Sequence, residues 1–235
     1  MKEYRFILAG YTRRSNKGVH ILNISLDKPE IDGLNSKDTI GSGPGMREEI
    51  PYMSLVDSDV RDHSRLLLNI EDPSYMALDA DKLFVLSSGD EGGVKAYNFD
   101  RKREGLRPIG GVDMLGKAPC HLYFDRDKSL IYASNYHLGR LDILFLNEDG
   151  LSLAGSICLE GRGPISPNQD GPRCHMAIKD PSDRFTLVVN LGGDRVETYY
   201  IDTEGYDLVS SYHTRPGMGP RHMVFGPGGR YAYLM

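Results

Sequence analysis

Short strands in sets of four, repeating at a spacing in the forties and joined by polar turns, predict an all-β fold of the β-propeller type. The unit is clearest over Pro119–Leu153, PCHLYFDRDKSLIYASNYHLGRLDILFLNEDGLSL. A strand through Cys120–Phe124 is followed by a polar turn at Asp125–Lys128, a strand through Leu130–Asn135 and a Gly-containing turn. A strand through Arg140–Leu146, the Asp149-Gly150 turn and an outer strand complete it. Each strand is too short to be stable alone. The period is the second observation: Tyr75, His121, His175 and His222 hold the same place in successive units, separated by 46, 54 and 47 residues. A β-sandwich has strands of similar length but no reason to keep a period.

Taken in order, Arg5–Thr12 matches the second strand of the unit and Gly18–Asp27 the third, so the first blade lacks its own first strand. In a closed propeller such a gap is commonly filled from the other end of the chain, which removes an open sheet edge. Residues 28–65 are rich in loop-forming residues, with one apolar patch at Ile50–Val56. They read either as the outer strand of the first blade with a long loop or as an insertion overhanging the channel. Gly41-Ser42-Gly43-Pro44-Gly45 is not followed by Gly-Lys-Ser/Thr, so it reads as a plain loop and not a phosphate cradle.

Three clean units follow, and a fifth is represented only by Met223–Phe225 and Arg230–Leu234. At about 45 residues per blade, seven blades need about 315 residues. The 235 residues therefore predict one propeller domain over 1–235, holding about five of seven expected blades, an incomplete ring truncated at its C-terminal side.

Composition excludes several classes. A net charge of −5 with 26% charged residues gives no bias toward nucleic acid or an acidic membrane. The apolar run near the amino terminus is too short for a signal-peptide core or a membrane span. Cys120, Cys158 and Cys174 are odd in number and lack framework spacing, which points to free thiols and a cytoplasmic location. Nothing in the pattern specifies an oligomeric state.

The start of each inner strand faces the channel, so His121, His175 and His222 are expected to converge near one mouth, with Arg221 beside the last of them. Arg221 offers a planar, permanently charged fork, and His222 can exchange a proton near neutral pH. Asn135 and Asn190, closing second strands, read as strand-end caps. Neighbouring residues on a strand face opposite ways, so Cys120-His121 and Cys174-His175 read as small buried thiols behind channel-facing histidines, and no metal site is expected. There is no Gly-x-Ser-x-Gly elbow, which argues against a serine hydrolase.

PSYMAL, GGVKAY, PCHLYFD, ASNYHLGRLDIL, the turn Gly161-Arg162-Gly163-Pro164, GPRCH, DRFTLVVNLGGDRVETY and PGMGPRHMVFGPGGRYAY together resemble the seven-bladed propeller lactonases. That family includes bacterial 6-phosphogluconolactonase of the propeller type and fungal carboxymuconate cyclase. The resemblance implies hydrolysis of a sugar lactone, 6-phosphoglucono-δ-lactone, in the pentose phosphate route, with no metal or other cofactor. The residues expected to act are His175, Arg221 and His222, with either histidine as the base. His121, Arg162 and Arg173 are expected at the substrate, Arg173 standing where related sequences usually carry a histidine. Two alternatives stay open: a lactonase or cyclase for a dicarboxylic substrate, and a non-catalytic propeller that binds a ligand on its channel face.

Overall fold

The computed structural model describes residues 2–9, 12, 17–26, 64–88, 92–113 and 117–235, with side chains from Ile7 onward except those of 23–26 and 64. Its strands lie in consecutive antiparallel sheets, each following the chain. β1 (Lys2–Ala9), β2 (Gly18–Leu26) and β3 (Ser64–Asn69) form the first sheet, in that order. The second holds β4 (Pro73–Asp79), β5 (Lys82–Ser87), β6 (Gly93–Asp100) and β7 (Gly105–Asp113). The third holds β8 (His121–Asp125), β9 (Leu130–Asn135), β10 (Arg140–Asn147) and β11 (Gly150–Cys158). The fourth holds β12 (Cys174–Lys179), β13 (Thr186–Asn190), β14 (Arg195–Ile201) and β15 (Tyr206–His213), and a last pair joins β16 (Met223–Phe225) to β17 (Ala232–Leu234).

These are the blades expected from the sequence, and β9 has the predicted bounds. The outer strand of the first blade begins at Ser64, so residues 27–63 separate the third strand from the outer one. The apolar patch at Ile50–Val56 and the glycine-rich run at 41–45 lie outside the described residues.

The second strand of each blade explains the stacking. In Lys82–Ser87 (KLFVLS) every residue from Leu83 to Leu86 is fully buried, because the blade is covered on both faces. Leu83 and Val85 join Val19 and Ile21 of the first blade, while Phe84 and Leu86 join Leu122, Ile131 and Ala133 of the third. β9 repeats the device: Ile131 and Ala133 face back to the second blade, and Leu130 and Tyr132 pack forward on Cys174, Ala177 and Val188. Burying a side chain of Phe84's size contributes about 3 kcal/mol, and each blade needs both neighbours to collect that stabilisation.

Polar contacts fix the blades at two levels. At the end of the second strand in the second, third and fourth blades a side chain grips the lead-in segment of its own blade. Ser87 Oγ donates to Glu71 O at 2.7 Å, Asn135 Nδ2 to Lys117 O at 2.9 Å and Asn190 Nδ2 to Glu160 O at 2.9 Å. Asn135 Oδ1 also accepts Leu138 N–H, and Asn190 Oδ1 accepts Arg173 N–H and Gly193 N–H, which bears out the capping role expected of both asparagines. At the other end of the inner strands, an acid of one blade meets a base of the next. Arg126 holds Asp79 through Nε at 2.7 Å and Nη2 at 2.5 Å, and Lys179 Nζ meets Asp125 Oδ2 at 3.1 Å.

Candidate active site

The loops entering the inner strands surround a cavity of about 550 Å³ at the mouth opposite those clasps. Its wall is drawn from the second to last blades: Ser74 and Ser88; Cys120, Tyr136 and His137; Gln169, His175 and Leu191; and Gly217–Gly219 with Arg221. Among the described residues that lining contains an arginine and two histidines but no carboxylate.

His175 reaches the cavity through a break in the ladder. Cys174 pairs with Asn190 and Met176 with Val189, leaving His175 as the extra residue of a β-bulge. A bulge re-aims the side chain it carries, and here it turns a 6% exposed imidazole toward the cavity. Its Nδ1 is buried with no hydrogen-bond partner among the described residues. Burial, with help from the nearby Arg221 and His222 charges, pulls its pKa down to about 4, so the ring is neutral at physiological pH with a lone pair available. His222 meets it edge-on, ring centroids 4.8 Å apart, and is itself exposed. Arg221 precedes β16, its backbone N–H bonded to Met235 O at 2.6 Å, and its side chain joins the cavity wall.

The expected convergence therefore brings His175 and Arg221 into the cavity wall, with His222 against the His175 ring but outside the lining. His121 is displaced from the cavity wall. It is 3% exposed, packs against the ring of Tyr75 at 4.7 Å between centroids, and lies outside the lining, a place taken by Cys120. Burial, and then the His222 and His175 charges, lower its pKa to about 3, so it stays uncharged. Cys174 is a buried core residue behind His175, as expected, whereas Cys120 reaches the cavity, its thiol pushed up to about 11 by burial and so protonated at neutral pH. Arg173 lies over the face of Tyr136 at 5.4 Å and donates from Nη1 to His137 O, beside the cavity. Arg162 is exposed and outside the lining.

Sequence reasoning did not single out Tyr136, which touches three of these groups. Its ring meets His175 edge-on at 5.9 Å and His137 at 5.3 Å, it carries Arg173 on its face, and its hydroxyl donates to Asn168 Oδ1. Its position directly after the strand-closing Asn135 was the available signal. Among the described residues no cluster of His, Cys, Asp or Glu has the geometry of a metal site, and no helix is long and apolar enough to cross a membrane.

The family model described as "Lactonase, 7-bladed beta-propeller" matches residues 47–235. The chain belongs to this family. Among relatives of the family's lactonases, a 6-phosphogluconolactonase of Bacillus subtilis (strain 168) is 30% identical over 176 residues, covering 73% of this chain and 50% of its own length. An uncharacterised protein of Lactococcus lactis subsp. cremoris (strain MG1363) is 29% identical over the whole chain and 60% of its own length. A crystal structure of a Lactobacillus plantarum protein superposes with a TM-score of 0.75 at 27% identity, covering 99% of this chain and 60% of that one. The chain thus spans about 60% of the length of relatives it matches end to end, and the described blades form an incomplete ring of the family's propeller.

Proposed function

We propose that this chain carries the water-activating and anion-holding half of a lactonase acting on an anionic sugar lactone, 6-phosphoglucono-δ-lactone. The observation that supports this reading is a cavity wall that holds both a neutral histidine and a permanently charged arginine, with no carboxylate in the lining among the described residues. Water held at His175 attacks the lactone carbonyl carbon as the imidazole accepts its proton. Arg221 carries the charge that develops on the carbonyl oxygen. The ring C–O bond then breaks, the proton passes to the departing ring oxygen, and the open hydroxy acid results. With so low a pKa, His175 is a weak base, so its contribution lies in orienting water and accepting a proton as it is released. His222 packs edge-on against that ring and borders it on the exposed side.

Arg173 and His137 at the rim, the first a fixed charge, supply a place for the substrate's phosphate. A phosphorylated sugar as substrate places the reaction in the cytoplasm and in the pentose phosphate route.

The test is hydrolysis of 6-phosphoglucono-δ-lactone, glucono-δ-lactone and a muconolactone by the intact protein and its Arg221→Ala variant. The first substrate is expected to be preferred, and the variant to lose about a hundredfold or more in kcat/KM. An unchanged rate in the variant overturns the assignment, and a preference for the dicarboxylic compound moves it to the cyclase branch.

A further inference from the structure

The turn between β13 and β14 ends at Asp194, a non-glycine residue with φ of +51°. The matching turn of the preceding blade, between β9 and β10, ends at Gly139 with φ of +59°. Both turns start from a strand-closing asparagine and run into an arginine, Asn135 to Arg140 and Asn190 to Arg195. The same left-handed position is thus filled by the residue that adopts it freely in one blade and by an aspartate in the next. Aspartate tolerates this region in turns, and Asp183 adopts it too, so a role beyond the turn has to be read from the contacts of Asp194.

That role is visible in its contacts. Asp194 is 6% exposed, and both carboxylate oxygens are occupied. Oδ2 accepts Gly217 N–H at 2.7 Å, and Oδ1 accepts Gly219 N–H and Gln169 Nε2, each at 2.7 Å. Its backbone carbonyl accepts Thr214 N–H and Thr214 Oγ1. Gln169, 1% exposed, passes the connection on: Nε2 also donates to Leu191 O, and Oε1 accepts Ile165 N–H. Gly163 fits under both, because a Cβ there would stand 2.4 Å from Gln169 Oε1 and 2.6 Å from Asp194 Oδ2. Burial acts to raise the Asp194 pKa, and the N–H groups of Gly219, Gly217 and Met218 with the Gln169 amide outweigh it, leaving the carboxylate charged.

Three loops meet on this one carboxylate, and each lines the cavity: Ile165, Asn168 and Gln169 from the first, Leu191 from the second, Gly217–Gly219 from the third. The third runs directly into Arg221. We propose that Asp194 is the positioning residue of the site, the anchor that sets the wall and, through the Gly217–Gly219 turn, the place of Arg221. This rests on the assignment of Arg221 as the oxyanion-holding group. Asp194 itself touches no reacting atom.

The experiment is a cycle on the intact protein, with Asp194→Gly and Asp194→Asn placed in the wild-type and Arg221→Ala backgrounds. Hydrolysis of 6-phosphoglucono-δ-lactone is measured together with amide hydrogen exchange of residues 217–219. Asp194→Gly suits the backbone while deleting the carboxylate, and the isosteric Asp194→Asn serves if the glycine variant does not fold. Asp194→Gly is expected to lower kcat/KM by about a hundredfold, chiefly in kcat. In the Arg221→Ala background it should change the rate less than twofold. Protection of the Gly217–Gly219 amides should fall in both backgrounds. A wild-type rate in Asp194→Gly, or the same fractional loss in both backgrounds, overturns the proposal, the latter because it marks a merely structural residue. If Arg221→Ala alone leaves hydrolysis unchanged, the functional reading fails by itself. The exchange result then decides the anchor: lost protection sustains it, and unaltered protection overturns it.

Discussion

Replacing Lys179 with methionine removes one half of a pair that the fold has taken out of water. The Lys179 and Asp125 side chains are 4% and 5% exposed, with Nζ and Oδ2 3.1 Å apart. Methionine keeps most of the volume, so the cost is electrostatic: the Asp125 carboxylate stays buried without its cation. Breaking a buried pair by removing one partner costs about 3–5 kcal/mol. Asp125 retains the Tyr132 hydroxyl at 3.1 Å and a long contact from Lys128 N–H at 3.4 Å, which places the expected loss near the lower end, about 3 kcal/mol. For a protein of this size that lowers Tm by about 6–12 °C. The assay is urea unfolding of the intact protein at neutral pH, reading the midpoint at unchanged slope. The double variant Lys179→Met with Asp125→Leu leaves no orphaned charge and should recover most of the loss, to within about 1 kcal/mol of wild type. A single variant that loses less than about 1 kcal/mol, or a double variant no better than the single, would refute the reasoning that burial makes this clasp costly to break.

The equivalent clasp one blade earlier should behave differently. Asp79 and Arg126 are 36% and 57% exposed, so Asp79→Asn is expected to cost less than about 1 kcal/mol, and that small cost should vanish in high salt during the same unfolding measurement. Asn190→Ala orphans Glu160 O and the Arg173 and Gly193 N–H groups, and should cost about 2–4 kcal/mol by the same assay. Asn190→Asp should be worse than Asn135→Asp, because Glu197 Oε1 lies 3.4 Å from Asn190 Nδ2. His121 and His175, with folded pKa values of about 3 and about 4 against an ordinary 6.5, take up protons on unfolding between about pH 6.5 and about pH 3. Their contribution leaves stability untouched above pH 6.5 and lowers it progressively as the pH falls, with no further loss below about pH 3. His121→Gln should flatten that acid limb in a series of unfolding curves between pH 7 and pH 4, and an unaltered slope would count against a neutral His121.

The blades were legible because their physics is local and repeated. A second strand covered on both faces must read as a continuous apolar run, and KLFVLS and LIYASN do so without any alignment. Asn135 and Asn190 sit where a turn needs an acceptor and a donor together. The site was legible only in part. His121 and His175 look alike in Cys-His pairs, yet one packs against Tyr75 and the other is carried into the cavity by a bulge, which depends on the register with β13 and not on the local sequence. Arg162 shares its Gly-flanked turn with Gly163, and only the fold tells that Gly163 seats the Gln169–Asp194 contact while Arg162 stays outside. Asp194 was invisible as a special residue because a left-handed φ shows only in three dimensions. The outer strand of the first blade lay hidden behind residues 27–63, across which no periodicity carries.

The strand-end ties reach back only 16 to 30 residues, and the clasps at the far mouth reach back 47 and 54, never past the blade just before. A ribosome delivering this chain from its amino terminus therefore releases each blade with its own lead-in already made and its docking face already waiting. The polar bonds that register a new blade can close as soon as its inner strand and second strand leave the exit tunnel. Assembly then becomes a vectorial process that lays down one blade at a time, so that besides the outer face of the first blade, which waits for the ring to close, the apolar face awaiting cover is that of the newest blade.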